Sequence, residues 1–134
     1  MNLRLDAADA ALPDVDACCR AVWLGRVGYL EARELQERLA GLRAEERIAD
    51  TLLLLEHPHT YTLGRRGNET HLLLPQSRLA ELGVGLYRVD RGGDITYHGP
   101  GQLVAYPVMQ IRRMAGGVGR YLRGLEETLI CCLA

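Results

Sequence analysis

The chain of 134 residues contains no lysine, so all sixteen of its basic residues are arginines. Without lysine it supplies no side-chain amine for covalent catalysis, and it cannot form the Gly-Lys-Ser/Thr ending of a phosphate-binding P-loop. The run Gly116-Gly117-Val118-Gly119 is therefore interpreted as a flexible lead into a helix and not as a phosphate site.

The sequence also lacks any segment that approaches the roughly 20 apolar residues of a membrane-spanning helix. An acid at Asp6 lies too early for a secretory signal peptide. Hydrophobic residues make up 48% of the chain and charged residues 25%, which is typical of a globular protein. We therefore expect one modest cytoplasmic domain with no membrane partner.

Cysteine usage gives no sign of a disulfide framework. The four cysteines form two adjacent pairs, Cys18-Cys19 and Cys131-Cys132, and neighbouring cysteines rarely bridge each other. No Cys-x-x-Cys spacing is present, so a zinc site is not expected, and reduced thiols fit best. Cys132 shares a helical face with Leu125 and Leu129, which predicts that it packs in a core.

Three histidines raise the question of a metal site. His57 and His59 flank Pro58, which constrains the pair, and His71 follows later. No cysteine or acid completes an organised ligand set, so neither a metal nor another cofactor is expected.

Charge is distributed unevenly along the chain. Residues 1–56 carry seven arginines and eleven acids, for a net charge of −4, whereas residues 57–134 carry nine arginines and six acids, for +3. The basic second half favours an acidic protein or an anionic ligand as a partner, although a solvated arginine surface explains most of these charges equally well.

Apolar periodicity and the positions of glycine and proline divide the chain into predicted elements. Residues 1–20, rich in Ala and Asp, are expected to form a loosely held extension. The remaining elements are a strand at 21–24, a helix at 29–42, a buried central strand at 51–56, a loop at 61–67, a helix at 75–82, a hairpin-like block at 86–111, and a last helix after 117. Pro107 indicates either an edge position or the close of a strand. This last helix has no stop signal, which predicts a domain interrupted inside or just after it.

The most informative segment is Arg91-Gly92-Gly93-Asp94-Ile95-Thr96-Tyr97-His98-Gly99-Pro100-Gly101-Gln102. Glycine and proline provide sharp turns and close backbone approaches, and polar side chains lie between them. The flanks, 86–89 and 103–106, are typical of strands. We therefore expect a rigid, donor-rich loop held between strands.

This segment resembles the signature of the lipoate-protein ligase B family, the octanoyltransferases of lipoic acid biosynthesis. Further segments resemble the family at Trp23–Arg26, at Tyr29 with Leu35-Gln36, at Glu56–Pro58 and at Tyr61–Gly67. The resemblance begins near residue 21 and extends to the end of the chain. It implies an α/β (α+β) catalytic domain of the biotin/lipoate ligase type at 21–134, with a mixed sheet and packed helices.

The resemblance implies an acyltransferase that moves an octanoyl group from octanoyl-acyl carrier protein to a lysine of lipoyl domains. Those acceptors are the E2 subunits of 2-oxoacid dehydrogenases and the glycine cleavage H protein, and no nucleic acid is implied. Similar enzymes use a cysteine acyl-thioester with a lysine beside it. The residues that match the acyl-binding pocket are Arg91, Gly92, Gly93, Asp94, Ile95, Thr96, Tyr97 and His98, where Thr96 and His98 are expected to orient the carbonyl.

The sequence departs from this pattern because the family's lysine and its Asn-Pro-Cys-type nucleophile both lie downstream of Ala134. Cys131 and Cys132 are poor substitutes, since no basic residue closer than Arg123 stabilises a thiolate. We therefore expect no catalytic residue in this chain and no activity from it alone. Two alternatives stay open: a noncatalytic module that binds an acyl chain or carrier protein, and a truncated ATP-dependent lipoate or biotin ligase.

Several side chains have a structural alternative at this level. His98 is either a site residue or a hydrogen-bonding residue of a turn, and Arg91 lies either at a pocket edge or in a surface bridge with Asp90 or Asp94. No chemical task is assigned to Asp94, which is expected to face solvent. Arg65-Arg66 either attract an acidic carrier protein or belong to a solvated loop.

Overall fold

The structure, a computed structural model, describes residues 19–113 and 116–134. It contains the strands β1 (Arg20–Arg26), β2 (Thr51–Glu56), β3 (Thr60–Leu63), β4 (Gly85–Arg88), β5 (Ile95–His98) and β6 (Val104–Val108). The α-helices are α1 (Tyr29–Ala44), α2 (Gln76–Glu81) and α3 (Gly117–Leu133), and short 3-10 helices occupy Glu69–His71 and Ile111–Arg113. Cys18 and nearly all of the predicted N-terminal extension lie outside the described residues.

Two mixed three-stranded sheets follow the same plan. In the first, β2 pairs in parallel with β1 and antiparallel with β6, and in the second, β3 pairs in parallel with β4 and antiparallel with β5. Parallel neighbours need a crossover connection, which α1 provides between β1 and β2 and α2 provides between β3 and β4. The predicted α+β class with mixed pairing is confirmed.

The core lies where β2 meets the start of α1. Strand β2 alternates buried and half-buried residues, and Leu53 and Leu55 are almost inaccessible to solvent. Leu55 packs with Val27 and Ala32, and the half-buried ring of Tyr106 covers this cluster. The expected buried central strand at 51–56 is thus confirmed, because β2 has a neighbour on each side.

Two predictions about the middle of the chain were wrong. Residues 61–63, expected in a loop, belong to β3, and residues 95–98, expected in a loop, form β5. The block 86–111 is not a hairpin, since β4 and β5 both pair with β3, which lies between them. Glycine follows each of these short strands directly, at Gly64 and Gly99, and such glycines are also typical of loops. Strand β6 does lie at a sheet edge, as Pro107 predicts.

Helix α3 confirms the predicted last helix, but its apolar side chains have little to pack against. None of its residues is buried, and Leu129, Ile130 and Leu133 are among its exposed apolar side chains. The prediction that Cys132 packs in a core was wrong, because this thiol is exposed. Within the described parts of the chain, no helix is long and apolar enough to cross a membrane.

Candidate functional site

Two loops bind each other through their backbones and hold the glycine-rich segment in place. We call residues 64–67 and 91–94 the interlocked loops. The amides of Gly64, Arg65 and Arg66 donate to the carbonyls of Asp94, Arg91 and Gly93 at 2.8, 3.0 and 3.1 Å, respectively. The two loops therefore form one rigid unit between β3 and β5.

Gly64 is required by this close approach. A Cβ atom at Gly64 would lie 2.5 Å from the carbonyl oxygen of Gly93 and 3.0 Å from the carbonyl oxygens of Arg91 and Gly92. Gly93 itself has a φ of 88°, in the left-handed region that favours glycine. The glycines of the two loops thus allow backbone contact at this point.

Arg91 fastens the interlocked loops to β3. Its Nη2 donates to Thr62 Oγ1 at 3.0 Å, to the Thr62 carbonyl at 3.0 Å and to the Asp94 carbonyl at 3.1 Å. Its Nη1 donates to the Gly92 carbonyl at 2.9 Å. Of the two alternatives for Arg91, the surface bridge to an aspartate carboxylate is not formed, because the guanidinium binds backbone and hydroxyl oxygens.

Asp94 has a structural task that the sequence did not reveal. Its Oδ1 accepts the Asn68 amide at 3.0 Å, and its Oδ2 lies 2.5 Å from His71 Nδ1. The Asn68 amide, with a smaller contribution from His71, holds the pKa of the Asp94 carboxyl below its usual range. The carboxylate therefore ties residues 68–71 to the interlocked loops.

Strand β5 sends alternate side chains to opposite sides of its sheet. His98 faces the side where its ring centroid lies 5.8 Å from that of His57, and Thr96 shares this side. Ile95 and Tyr97 face the other side, where Ile95 lines a separate pocket. The eight residues predicted to line one pocket are thus divided between the interlocked loops and two faces of a sheet.

On the Thr96 and His98 side, rings from five different elements and connections meet. This aromatic–imidazole cluster comprises Tyr29, His57, Tyr87, His98 and Tyr106. Tyr29 stacks on Tyr87 at a centroid distance of 5.1 Å, and His57 lies 5.5 Å from Tyr29 and 5.9 Å from Tyr106. His57 therefore occupies the centre of the cluster.

Both ring nitrogens of His57 are occupied. Nδ1 lies 2.7 Å from the Val27 carbonyl oxygen, and Nε2 lies 2.9 Å from the Tyr106 hydroxyl. A carbonyl only accepts, so Nδ1 carries the hydrogen and Nε2 accepts from Tyr106. Burial lowers the pKa of His57, the hydrogen bond to Val27 offsets part of this, and the nearby His98 lowers the pKa further. Burial also raises the pKa of Tyr106 to about 12. His57 is thus a neutral, fixed ring.

His98 has one occupied nitrogen. Its Nδ1 lies 2.9 Å from Gln102 Oε1, and among the described residues its Nε2 has no hydrogen-bond partner. In this structure the half-buried His98 is the ring of the cluster whose remaining nitrogen is available for a ligand. Sequence reasoning proposed a site role for His98 and considered His57 as a metal ligand, and the structure places both rings side by side in the cluster.

The histidines considered as metal ligands are separated by their partners. His57 is buried in the cluster, His59 Nδ1 lies 2.5 Å from the Tyr97 hydroxyl, and His71 binds Asp94. The sequence carried one signal for His57, because Glu56-His57-Pro58 is a segment that resembles the family. The role of His57 was still missed, because its partners Val27 and Tyr106 are 30 and 49 residues away along the chain.

The opposite side of the second sheet carries a half-open pocket with a volume of about 470 Å³. Its lining is mostly apolar and consists of Tyr61, His71, Leu72, Leu73, Leu74, Leu79 and Ile95.

Arg65 and Arg66, in the interlocked loops, are exposed.

The mixed sheets, the crossover helices and the histidine-bearing strand define a catalytic-domain fold of the lipoate ligase type. The chain belongs to the lipoyl protein ligase A/B catalytic domain family, which matches residues 28–134.

Among similar proteins, the octanoyltransferase of Chloroflexus aurantiacus is 49% identical over 112 residues, which is 84% of this chain and 50% of the relative. That of Solibacter usitatus is 49% identical over 113 residues, 84% of this chain and 51% of the relative. The mitochondrial octanoyltransferase of Arabidopsis thaliana is 46% identical over 110 residues, 81% of this chain and 47% of the relative. The chain thus spans about half the length of these relatives.

The loop contact at Gly64 gives a stability prediction. We expect Gly64→Ala to destabilise the chain by about 1–3 kcal/mol, because the added methyl group overlaps backbone oxygens that cannot easily move. Gly41→Ala is the matched control, since its Cβ would meet nothing within 4 Å on an exposed position of α1. That change should stabilise by about 0.5–1 kcal/mol. Urea denaturation measures both, and equal effects would contradict the interlocked loops.

Burial of His57 predicts a pH dependence of stability. Its folded pKa lies below the unfolded value of about 6.5, so the unfolded chain takes up this proton first as the pH falls. The contribution of His57 to the free energy of unfolding is complete above about pH 6.5. Below that pH it decreases by at most about 1.4 kcal/mol per pH unit.

Urea denaturation between about pH 7.5 and about pH 5.5 tests this slope. We expect His57→Gln to flatten it and the exposed His59→Gln to leave it unchanged. A slope that persists undiminished in His57→Gln would show that His57 is not held neutral.

Proposed function

We propose that this chain forms one half of an octanoyltransferase catalytic domain, in which the aromatic–imidazole cluster forms a wall of the acyl-binding site. The complete domain would move an octanoyl group from octanoyl-acyl carrier protein to the lysine of a lipoyl domain. The observation that carries the proposal is the meeting of Tyr29, His57 and His98. Each comes from a segment in which the sequence resembles octanoyltransferases, and all three lie on the same side.

The geometry suits an acyl thioester. Stacked rings give an apolar surface for an alkyl chain, and Thr96 and His98 place polar groups beside it. The interlocked loops and Arg91 hold β5 rigidly, which favours a reproducible orientation of the bound carbonyl group.

The exposed Arg65 and Arg66 support an acidic protein as the acyl donor. They project from the interlocked loops, which also carry the start of the glycine-rich segment. Attraction between this basic loop and an acidic carrier protein would raise the rate of encounter. We further propose that the protein acts in the cytoplasm, as a biosynthetic enzyme.

The covalent step needs groups that the cluster does not contain. Cys19, Cys131 and Cys132 are exposed thiols, and none of them belongs to the aromatic–imidazole cluster. The chain has no lysine. We therefore propose that a cysteine nucleophile and its lysine belong to the half of the relatives that this chain does not span.

The meeting of Tyr29, His57 and His98 also supports one alternative, a noncatalytic module that binds an acyl chain or a carrier protein. The two functions differ in whether the cluster supports transfer once the second half of the domain is supplied. An ATP-dependent ligase has less support, because the curated relatives described above are named octanoyltransferases.

The test compares this chain with a chimera that adds the unmatched C-terminal half of the Chloroflexus aurantiacus octanoyltransferase. Each is incubated with octanoyl-acyl carrier protein and a lipoyl domain, and intact mass reports any added octanoyl group. We expect transfer by the chimera, none by the chain alone, and a loss of at least tenfold in the chimera with His98→Ala. His59→Ala, an exposed histidine on the opposite side, is the control.

A stable octanoyl adduct on the chain alone would place the nucleophile within these 134 residues and contradict the proposal. A folded chimera that binds the acyl donor without transferring the group would favour the noncatalytic module.

A further inference from the structure

The pocket on the Tyr61 and Ile95 side of the second sheet has no part in the proposed acyl-binding site. Tyr61 and Ile95 come from the sheet, the buried Leu79 comes from α2, and residues 71–74 complete the lining. Its volume of about 470 Å³ falls within the roughly 300–1,000 Å³ of pockets that hold ligands. Because the pocket is half-open, it can also receive one side chain of another protein.

Two of three consecutive leucines at the edge of this pocket are exposed to water. We call residues 72–74 the leucine rim. Leu73 is 98% exposed and Leu74 is 44% exposed, although both line an apolar cavity. A contiguous apolar surface that stays exposed on a folded domain marks an interaction site. The leucine rim and the pocket therefore form an apolar surface that lacks a partner within the described residues.

The chain on either side of the leucine rim is held by hydrogen bonds. Before the rim, the Asp94 carboxylate accepts the Asn68 amide at 3.0 Å and lies 2.5 Å from His71 Nδ1. After the rim, α2 begins with two amide hydrogen bonds to the Pro75 carbonyl, at 2.9 and 3.1 Å. The leucines are thus held in place before a partner arrives, which lowers the entropy cost of binding.

The charged residues around the pocket leave an excess of positive charge. Residues 60–88 contain four arginines and two acids. The acids of this surface already pair with its own cations, in Arg78–Glu81, Arg88–Glu69 and His71–Asp94. Arg65 and Arg66 are exposed, and neither forms an ion pair with another described residue. Two positive charges therefore remain free on the interlocked loops, which Asp94 connects to the leucine rim.

An acidic protein that presents one apolar side chain matches both features of this surface. The apolar side chain would fill the pocket against the leucine rim, as anchoring residues do at the centre of protein interfaces. Carboxylates around it would face Arg65 and Arg66, which favours fast and specific encounter. A nucleic acid has no apolar side chain to place in the pocket. A flat anionic membrane would meet the two arginines but not fill the concave pocket.

We propose that the pocket, the leucine rim and Arg65-Arg66 form a docking surface for the acidic carrier protein that delivers the acyl group. This proposal rests on the proposed octanoyl transfer. It places recognition of the carrier protein on one side of the β4-β3-β5 sheet and recognition of the acyl group on the other. The interlocked loops lie between the two, since they carry the arginines and also hold β5.

A binding measurement on this chain tests the docking surface without any assay of transfer. The probe is an acyl carrier protein that lacks both the acyl group and the pantetheine arm, so that only contacts between the two proteins contribute. NMR of methyl and ring signals reports the contacted residues. We expect shifts at Tyr61, Leu74 and Ile95, and no comparable shift at Tyr29 or His98, which lie on the opposite side.

Four variants measure what each part of the surface contributes to affinity. We expect Leu73→Ser to weaken binding by about fivefold or more, and the double variant Arg65→Glu/Arg66→Glu by about tenfold or more. Both sites are exposed, so neither change should lower the stability of the fold. The controls are Leu129→Ser and Arg38→Glu, which alter an exposed leucine of α3 and an exposed arginine of α1 and should leave the affinity unchanged.

Three results would overturn the proposal. The first is that the carrier protein does not bind, or shifts signals only outside the pocket and the leucine rim. The second is that Leu73→Ser binds as tightly as the wild-type chain. The third is that anionic phospholipid vesicles, tested in parallel, bind at these residues while the carrier protein does not.

A kinetic comparison in the chimera separates docking from a structural role. Transfer is measured with octanoyl-acyl carrier protein and with octanoyl-pantetheine, which offers the same thioester without the protein. We expect Leu73→Ser to raise KM for the carrier-protein donor by about fivefold or more and to leave kcat/KM for octanoyl-pantetheine within about twofold. Equal losses with both donors would contradict a docking role.

The proposed function and the docking surface can fail separately. If the chimera transferred octanoate from neither donor while the carrier protein still shifted Tyr61 and Ile95, the proposed function would fail and the docking surface would stand. If the chimera transferred octanoate while the carrier protein left Tyr61 and Ile95 unmoved, the docking surface would fail and the proposed function would stand.

Discussion

The antiparallel pairing of β5 with β3 is the constraint on which the site depends. Because β5 is an extended strand, its alternate residues must face opposite sides, and the register that pairs Thr60 with His98 places His98 beside His57. A shift of one residue would exchange the two faces and turn Tyr97 toward the cluster. The interlocked loops prevent such a shift, since they join the ends of β3 and β5 by backbone hydrogen bonds.

Two histidines with different hydrogen-bonding states follow from this arrangement. His57 is enclosed, bound at both nitrogens and held neutral by burial, so it serves as a fixed wall of the cluster. His98 is only half buried and is bound at one nitrogen. The chemistry available to a ligand therefore centres on His98, while His57 and Tyr106 keep the surrounding rings in place.

Sequence patterns predicted the elements that depend on local information. The apolar run of β2 and the helical spacing of α1 and α3 each identify an element without reference to distant residues. The short strands β3 and β5 were missed because their glycine-bounded segments also fit loops, and only their pairing with each other makes them strands. The structural roles of Asp94 and His57 were missed for the same reason. The partners of Asp94 lie 23 and 26 residues away along the chain. The environment of His57 is assembled from four other elements or connections.

The most direct measurement is a titration of this chain with octanoyl-pantetheine, followed by NMR of the ring and methyl signals. The account predicts shifts at Tyr29, His57 and His98, on one side of the β4-β3-β5 sheet. It predicts no comparable change at Tyr61 or Ile95, which line the pocket on the other side. Shifts confined to Tyr61 and Ile95, with the histidine signals unmoved, would show that the acyl group binds the opposite face and would contradict the account.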